Sequence, residues 1–278
     1  MRSSKKQTKI FLFGLLLLFL GSLSINLYFL KDTEKPQQIK DILKVKFHDT
    51  EREHFIKENP DVYNFFNNKK FSNNTERIDY IRNWIFNNSI GTGDTNSANA
   101  FQTNIIIEDL FLASKKEKKK PALTCGPRAL VMEQILIMLG YKCRFVSIFF
   151  TDYYPDQLAS HTFIEFYNPD TKHWEINDPL NNIYYIDSLG NRLNSIEISY
   201  MKRGEYKPCR DKEICGEGIL TDNITRFADC FKLISLKEFG EDFVILLNSK
   251  YYNAEKYYSV DNSTLESFFK DKKYVFVF

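Results

Sequence analysis

Histidine and cysteine are scarce in this chain, four and five in 278 residues, and tryptophan occurs twice. Neither charge sign dominates: 38 Lys and Arg stand against 36 Asp and Glu, a net charge of +2. That balance removes the electrostatic footprint of a nucleic-acid binder. No internal repeat or low-complexity tract is evident, and no histidine lies near Cys209, Cys215 or Cys230, whose spacing fits no common zinc pattern. No motif calls for a cofactor. What is present is an ordinary globular composition, 43% hydrophobic and 27% charged, with 15% aromatic residues weighted toward Phe and Tyr. A sizeable core is possible, and wholesale disorder is not expected.

One long apolar run precedes the globular part. Arg2, Lys5, Lys6 and Lys9 lead into an uncharged stretch from Ile10 to Leu30. A bilayer-spanning helix needs about 20 such residues, more than the 7 to 15 (roughly) of a signal-peptide apolar region. An uncleaved anchor over residues 1–30 is the expectation, with Ser22-Leu23-Ser24 leaving a cleaved secretory signal as the alternative. No cysteine follows the run, which excludes a lipoprotein anchor. Positive charge ahead of the span places the short tail in the cytoplasm and the rest outside, periplasmic or extracellular. Five cysteines suit export: one free thiol and two possible pairs, with Cys209 and Cys215 the first candidates for a bridge. Five reduced thiols, with Cys143 and Cys230 buried as small apolar groups, is the other reading.

Residues 31–74 read as a polar linker and a helical lead-in. Thr75 is placed to cap a helix carrying Ile78, Ile81, Trp84 and Ile85 at helical spacing, and the Gly- and Asn-rich stretch after it reads as a loop. Lys115 to Lys120 is a lysine run ending at Pro121, a solvated loop tip with at most a weak attraction to acidic surfaces. The segment after it is the most informative. Thr124 is a candidate cap, Pro127 suits a first helical turn, and Ala129 to Met132 with Ile135 to Leu139 make the helix apolar nearly all round. Such a helix belongs in the centre of a core. Gly140 supplies its stop, and Cys143 to Phe150 reads as a strand. Strands at His161 to Tyr167 and Lys172 to Asp178 follow, joined by Asn168-Pro169-Asp170-Thr171, and a fourth at Ile183 to Ile186.

Hairpin registry brings chemistry together. Pairing Tyr167 with Lys172 sets Glu165 opposite Trp174, Phe163 opposite Ile176 and His161 opposite Asp178, on one mostly apolar face expected to pack on the Cys125 helix. Cys125 opens that helix, where the dipole and free N–H groups favour a thiolate and lower a thiol pKa from about 8.5 to between roughly 3.5 and 7.5. A thiolate, a histidine to move the proton and a carboxylate to hold the ring's tautomer form a complete acyl-transfer triad. The Cys125 backbone N–H is a candidate oxyanion donor.

Thr-Cys-Gly-Pro-Arg-Ala-Leu at 124–130, Leu139-Gly140-Tyr141 with Arg144-Phe145-Val146, Ser160-His161-Thr162-Phe163-Ile164-Glu165, and Trp174-Glu175-Ile176-Asn177-Asp178-Pro179 together resemble the transglutaminase-like superfamily. Thr162 departs from the aromatic that often follows the histidine there. The resemblance implies an α+β, papain-like core over residues 75–187, with a nucleophile helix on an antiparallel sheet, and Cys125, His161 and Asp178 as catalytic residues. Residues 188–278 would be an accessory region that extends the sheet or forms a lid. It further implies thiol-dependent chemistry on an amide bond through an acyl-thioester. Hydrolysis, as in a cysteine protease or amidase, is favoured for a membrane-anchored chain without calcium-binding companion domains. Acyl transfer to an amine, as in protein cross-linking, and a non-catalytic binding module at the membrane surface are the rivals. The substrate expected is a peptide or protein, with the cell envelope the natural setting.

Overall fold

The computed structural model describes residues 49–92, 102–150, 159–202, 204–211, 214–216, 233–238, 244–247 and 274–277. The apolar run at 10–30 lies outside them, and among the described residues no helix is long and apolar enough to cross a membrane.

Helices come first. α1 (Asp49–Glu58) and α2 (Pro60–Asn67) precede α3 (Asn74–Asn87), and α4 (Thr103–Ser114) leads to the central helix α5 (Cys125–Met138). α3 starts one residue earlier than its expected cap: Asn73, not Thr75, accepts the Glu76 N–H at 2.8 Å. The Thr75 hydroxyl instead accepts from Asn168 at 2.9 Å and ties α3 to the sheet. Two short strands, β1 (Ile90–Gly91) and β2 (Ala122–Leu123), pair in parallel just ahead of α5.

α5 is buried as its composition requires. Val131, Met132, Ile135, Leu136 and Met138 are fully buried, each contributing roughly 1.5–3 kcal/mol by leaving water. Gly140 ends the helix in the left-handed region, φ +83°, where the Tyr141 N–H reaches Leu136 O at 2.9 Å. Aromatic edges fill the space beside it: Phe66 meets Trp84 at 5.1 Å and 84°, and Phe65 meets Phe111 at 5.8 Å and 71°.

The sheet has six strands in the order β10-β9-β8-β3-β4-β5, from β3 (Cys143–Phe150), β4 (Ala159–Asn168), β5 (His173–Asn177), β8 (Leu233–Glu238), β9 (Val244–Leu247) and β10 (Tyr274–Val277). β9 and β10 run parallel and the other neighbours antiparallel, so helix and sheet are segregated as in an α+β fold. β8, β9 and β10 thus continue the sheet on the β3 side. β6 (Tyr184–Asp187) leaves it to pair with β7 (Tyr206–Cys209), near the short helix α6 (Ser195–Tyr200). The described residues form one compact unit.

Two details of the hairpin differ from expectation. Asn168 pairs with His173 and Ile164 with Asn177, a two-residue shift from the expected registry. An even shift keeps every side chain on its face, so His161 and Asp178 stay on one side as diagonal neighbours. The face that meets α5 is the other one: Ile164 and Phe166, with Cys143, join the α5 cluster, while Phe163 and Ile176 do not. The opposite face is covered too, Glu165 accepting from the Ser195 backbone and hydroxyl. With both faces buried, apolar alternation cannot choose between them.

Arg82, 1% exposed, ties α3 to the turn beyond β5. Its guanidinium donates to Asp79 at 2.7 Å, Asn177 at 2.6 Å, Asn182 at 3.2 Å and Arg210 O at 3.1 Å. Arg82→Met takes this donor from the buried Asn177 and Asn182 amide oxygens and should lower unfolding free energy in urea by roughly 1–3 kcal/mol for each. Lys119→Ser on the exposed loop tip should leave the midpoint unchanged.

Candidate active site

Cys125 is the first residue of α5, so its N–H has no helical partner and the positive end of the dipole lies at its thiol. Thr124 holds the N-cap position in extended backbone, but its side chain makes no capping bond, contrary to expectation. His161 and the Thr162 backbone N–H lie close enough to the thiol for each to favour its ionised form. β5 ends at Asn177, opposite Ile164, so Thr162 lies beyond the paired stretch of β4 and β5. Cys125 meets the sheet there.

His161 is 3% exposed, and its Nε2 lies 2.7 Å from Asp178 Oδ2. With Nε2 committed to the carboxylate, Nδ1 is the nitrogen left for the thiol. The structure thus brings together all three residues that the sequence singled out.

Asp178, 1% exposed, opens a tight loop. Its N–H donates to Ile183 O at 2.9 Å and its carbonyl accepts from Ile183 N at 3.1 Å, closing residues 179–182 into a turn. Oδ1 accepts the Leu180 and Asn181 N–H groups at 2.9 and 3.2 Å, and Oδ2 accepts Asn181 Nδ2 at 2.7 Å in addition to His161. Sequence reasoning missed Asn181; the Asp-Pro-x-Asn spacing was its only available signal. Asn182 adopts φ +54°, tolerable for asparagine, and donates to Asn83 at 3.0 Å.

The electrostatics follow from this wiring. Burial pushes the Cys125 thiol up, but the bonds from His161 and the Thr162 N–H together with the imidazolium charge outweigh it, and the net shift is downward. Burial pulls His161 down, yet Asp178 by charge and hydrogen bond, followed by the thiolate, raises it to about 10. Burial raises Asp178, and His161 and Asn181 more than reverse that. The Cys125 and His161 shifts both run in the direction that favours a thiolate–imidazolium pair beside the carboxylate.

Other candidate groups lie elsewhere. Cys209 and Cys215 form a disulfide, Cys143 is buried with its thiol 3.8 Å from Glu133 O, and Cys230 lies outside the described residues. His173 bonds Glu197 at 2.8 Å, His54 pairs with Glu58 on α1, and His48 is not among the described residues. Glu165 forms a buried ion pair with Arg144, which also lies 4.2 Å over the Trp174 ring. Among the described residues no His, Cys, Asp and Glu cluster could hold a metal. A cavity of about 530 Å³ between α1, α4 and α5 is lined by His54, Glu58, Gln134 and Ile137 among others, and by no residue of the triad.

No family model and no curated protein matches the chain. Among solved structures, a protein of Cytophaga hutchinsonii provisionally named a cysteine protease is similar over 48% of this chain and 37% of its own, at 17% identity and a TM-score of 0.30. A score that low identifies no shared fold, and the site stands on its own geometry.

The pair carries a pH signature of opposite signs. The stability contributed by protonated His161 is complete below about 6.5 and is lost as pH rises toward 10. The lowered Asp178 contributes above its ordinary value of 3.8, and that contribution is lost as pH falls through its depressed folded value. Thiolate absorbance at 240 nm, taken as the difference from Cys125→Ser, should titrate below the roughly 8.5 of a free thiol. In Asp178→Asn the inflection should move up, because the imidazolium loses its counter-charge.

Proposed function

We propose that this chain is a papain-like, transglutaminase-like cysteine hydrolase, with Cys125 as nucleophile, His161 as proton carrier and Asp178 as the group that orients it. One observation carries the reading: a buried imidazole bonded through Nε2 to Asp178 and placed beside a thiol at the start of a helix, whose ionised form it favours. A core that needed only packing would avoid two buried ionisable side chains at 2.7 Å, since desolvating such a pair costs several kcal/mol per ion (roughly) unless each is fully bonded.

The chemistry follows the proton. The Cys125 thiolate adds to the carbonyl carbon of an amide, and the Cys125 backbone N–H faces the developing oxyanion. His161 gives its Nδ1 proton to the nitrogen as the C–N bond breaks, leaving an acyl thioester and a free amine. Water then adds to the thioester with its proton passing to Nδ1, the C–S bond breaks, and the carboxylic acid leaves. Asp178 stays ionised and holds the ring, as in other nucleophile–histidine–carboxylate sites.

The substrate in this proposal is a peptide or protein outside the cytoplasmic membrane, and the apolar run at 10–30 is the anchor that holds the enzyme there. The Cys209–Cys215 disulfide suits an oxidising compartment.

Denatured protein substrates incubated with the full-length chain in ¹⁸O-labelled water test the reaction. New C-termini carrying ¹⁸O are expected, absent with Cys125→Ala, and His161→Ala should cut kcat by about 10³-fold or more. Iodoacetamide should label Cys125 rapidly well below pH 8 in the wild type and slowly in His161→Ala. An ordinary thiol profile in both proteins would sink the catalytic reading in favour of a binding module. Capture of the acyl group by an added primary amine in preference to water would make the enzyme a transferase.

A further inference from the structure

Arg128 is the third residue after Cys125 on α5 and is only 1% exposed. Its Nη1 donates to the carbonyl oxygens of Pro179 and Leu180, at 3.2 and 2.8 Å, across 51 and 52 residues of chain. Those are the first two residues of the turn whose N–H groups and Asn181 side chain saturate Asp178. One helical turn therefore carries both the nucleophile and the group that grips the carboxylate loop.

Its surroundings are built to admit it. The guanidinium lies 5.6 Å from the Phe86 ring centroid, and a Cβ on Gly91 would come within 3.7 Å of Nη2 and 3.5 Å of Leu180 Cδ1. Gly91 of β1 thus packs beside the guanidinium at distances where even a Cβ would sit in ordinary van der Waals contact. The arrangement costs stability, because Nε is buried with no hydrogen-bond partner among the described residues. An apolar side chain of similar volume would avoid that cost, so stability alone does not account for an arginine here.

We propose that Arg128 is a positioning residue for the triad: it locks the 179–182 turn to the nucleophile helix, and through Asp178 it holds His161 in the orientation that ionises Cys125. The proposal rests on the catalytic reading above. Arg128 touches neither thiol nor imidazole in this role. It acts through the geometry of the turn and through its positive charge beside Asp178.

Cys125 alkylation rate against pH, measured on the full-length protein, tests this in Arg128→Met and Arg128→Lys, with circular dichroism to confirm folding. Arg144→Met serves as the comparison, being an equally buried arginine on the sheet face away from α5. In Arg128→Met the thiol inflection should rise by about one unit, roughly a tenfold slower alkylation at any pH well below the wild-type inflection, with intermediate behaviour in Arg128→Lys, which keeps the charge but not the fork. Free guanidinium at millimolar concentration should partly restore Arg128→Ala, where the vacated space can accept it. Arg144→Met should lower Tm and leave the inflection in place. A folded Arg128→Met protein with the wild-type profile overturns the positioning role while leaving the triad standing. An unactivated thiol in the wild type overturns both.

Discussion

A carboxylate taken fully out of water must be given donors, and the organisation around the site can be read as the means by which Asp178 receives them. Four donors converge on its two oxygens: His161, the Leu180 and Asn181 N–H groups and the Asn181 amide. Three of the four come from the turn that Asp178 itself begins. The turn must hold one shape for the carboxylate to remain ionised, and a carboxylate that remains ionised keeps the imidazole protonated beside the thiol.

That requirement propagates outward through two buried arginines. Arg82 reaches Asn177 just before the turn and Asn182 at its end, and Arg128 reaches Pro179 and Leu180 at its start. Both guanidiniums have their pKa lowered, by burial first, with Asp79 opposing the shift at Arg82 and Asp178 at Arg128; Arg128 falls to about 10 and remains charged at neutral pH. The turn is therefore clamped from α3 and from α5, both of which also contribute to the apolar core. Core packing and site geometry share the same rigid elements, a condition for holding reacting groups in register.

The sheet contributes in a less obvious way. Both faces of β4 are buried, one under α5 and the other under the segment around Ser195, so Glu165 and Arg144 are enclosed and pair with each other. β5 stops at Asn177, and the N–H of Thr162 beyond that point favours the ionised thiol. A longer β5 would cover the place where Cys125 meets β4; Pro179, which has no N–H to offer a ladder, helps end the strand.

Much of this was legible in the amino-acid sequence, and the division follows the range of the forces. The α5 helix runs from Cys125 to Met138 with its stop at Gly140, and β3 spans Cys143–Phe150, as read from propensity, capping and periodicity, because those act between neighbouring residues. The placement of His161 and Asp178 on one face survived a two-residue error in register, since side-chain direction has a period of two. Which face of β4 meets α5 was not legible, because with both faces covered the apolar pattern has no preferred side. Nor were the links from Arg82 to Asn177 and from Arg128 to Leu180, separated by 95 and 52 residues, or the place of β8 beside β3. Buried polar groups take whatever partners folding brings within reach, and no local signal marks them. The sequence by itself determined which residues could do the chemistry; only the tertiary structure decided what holds them still, because the donors a buried charge needs come from distant parts of the chain.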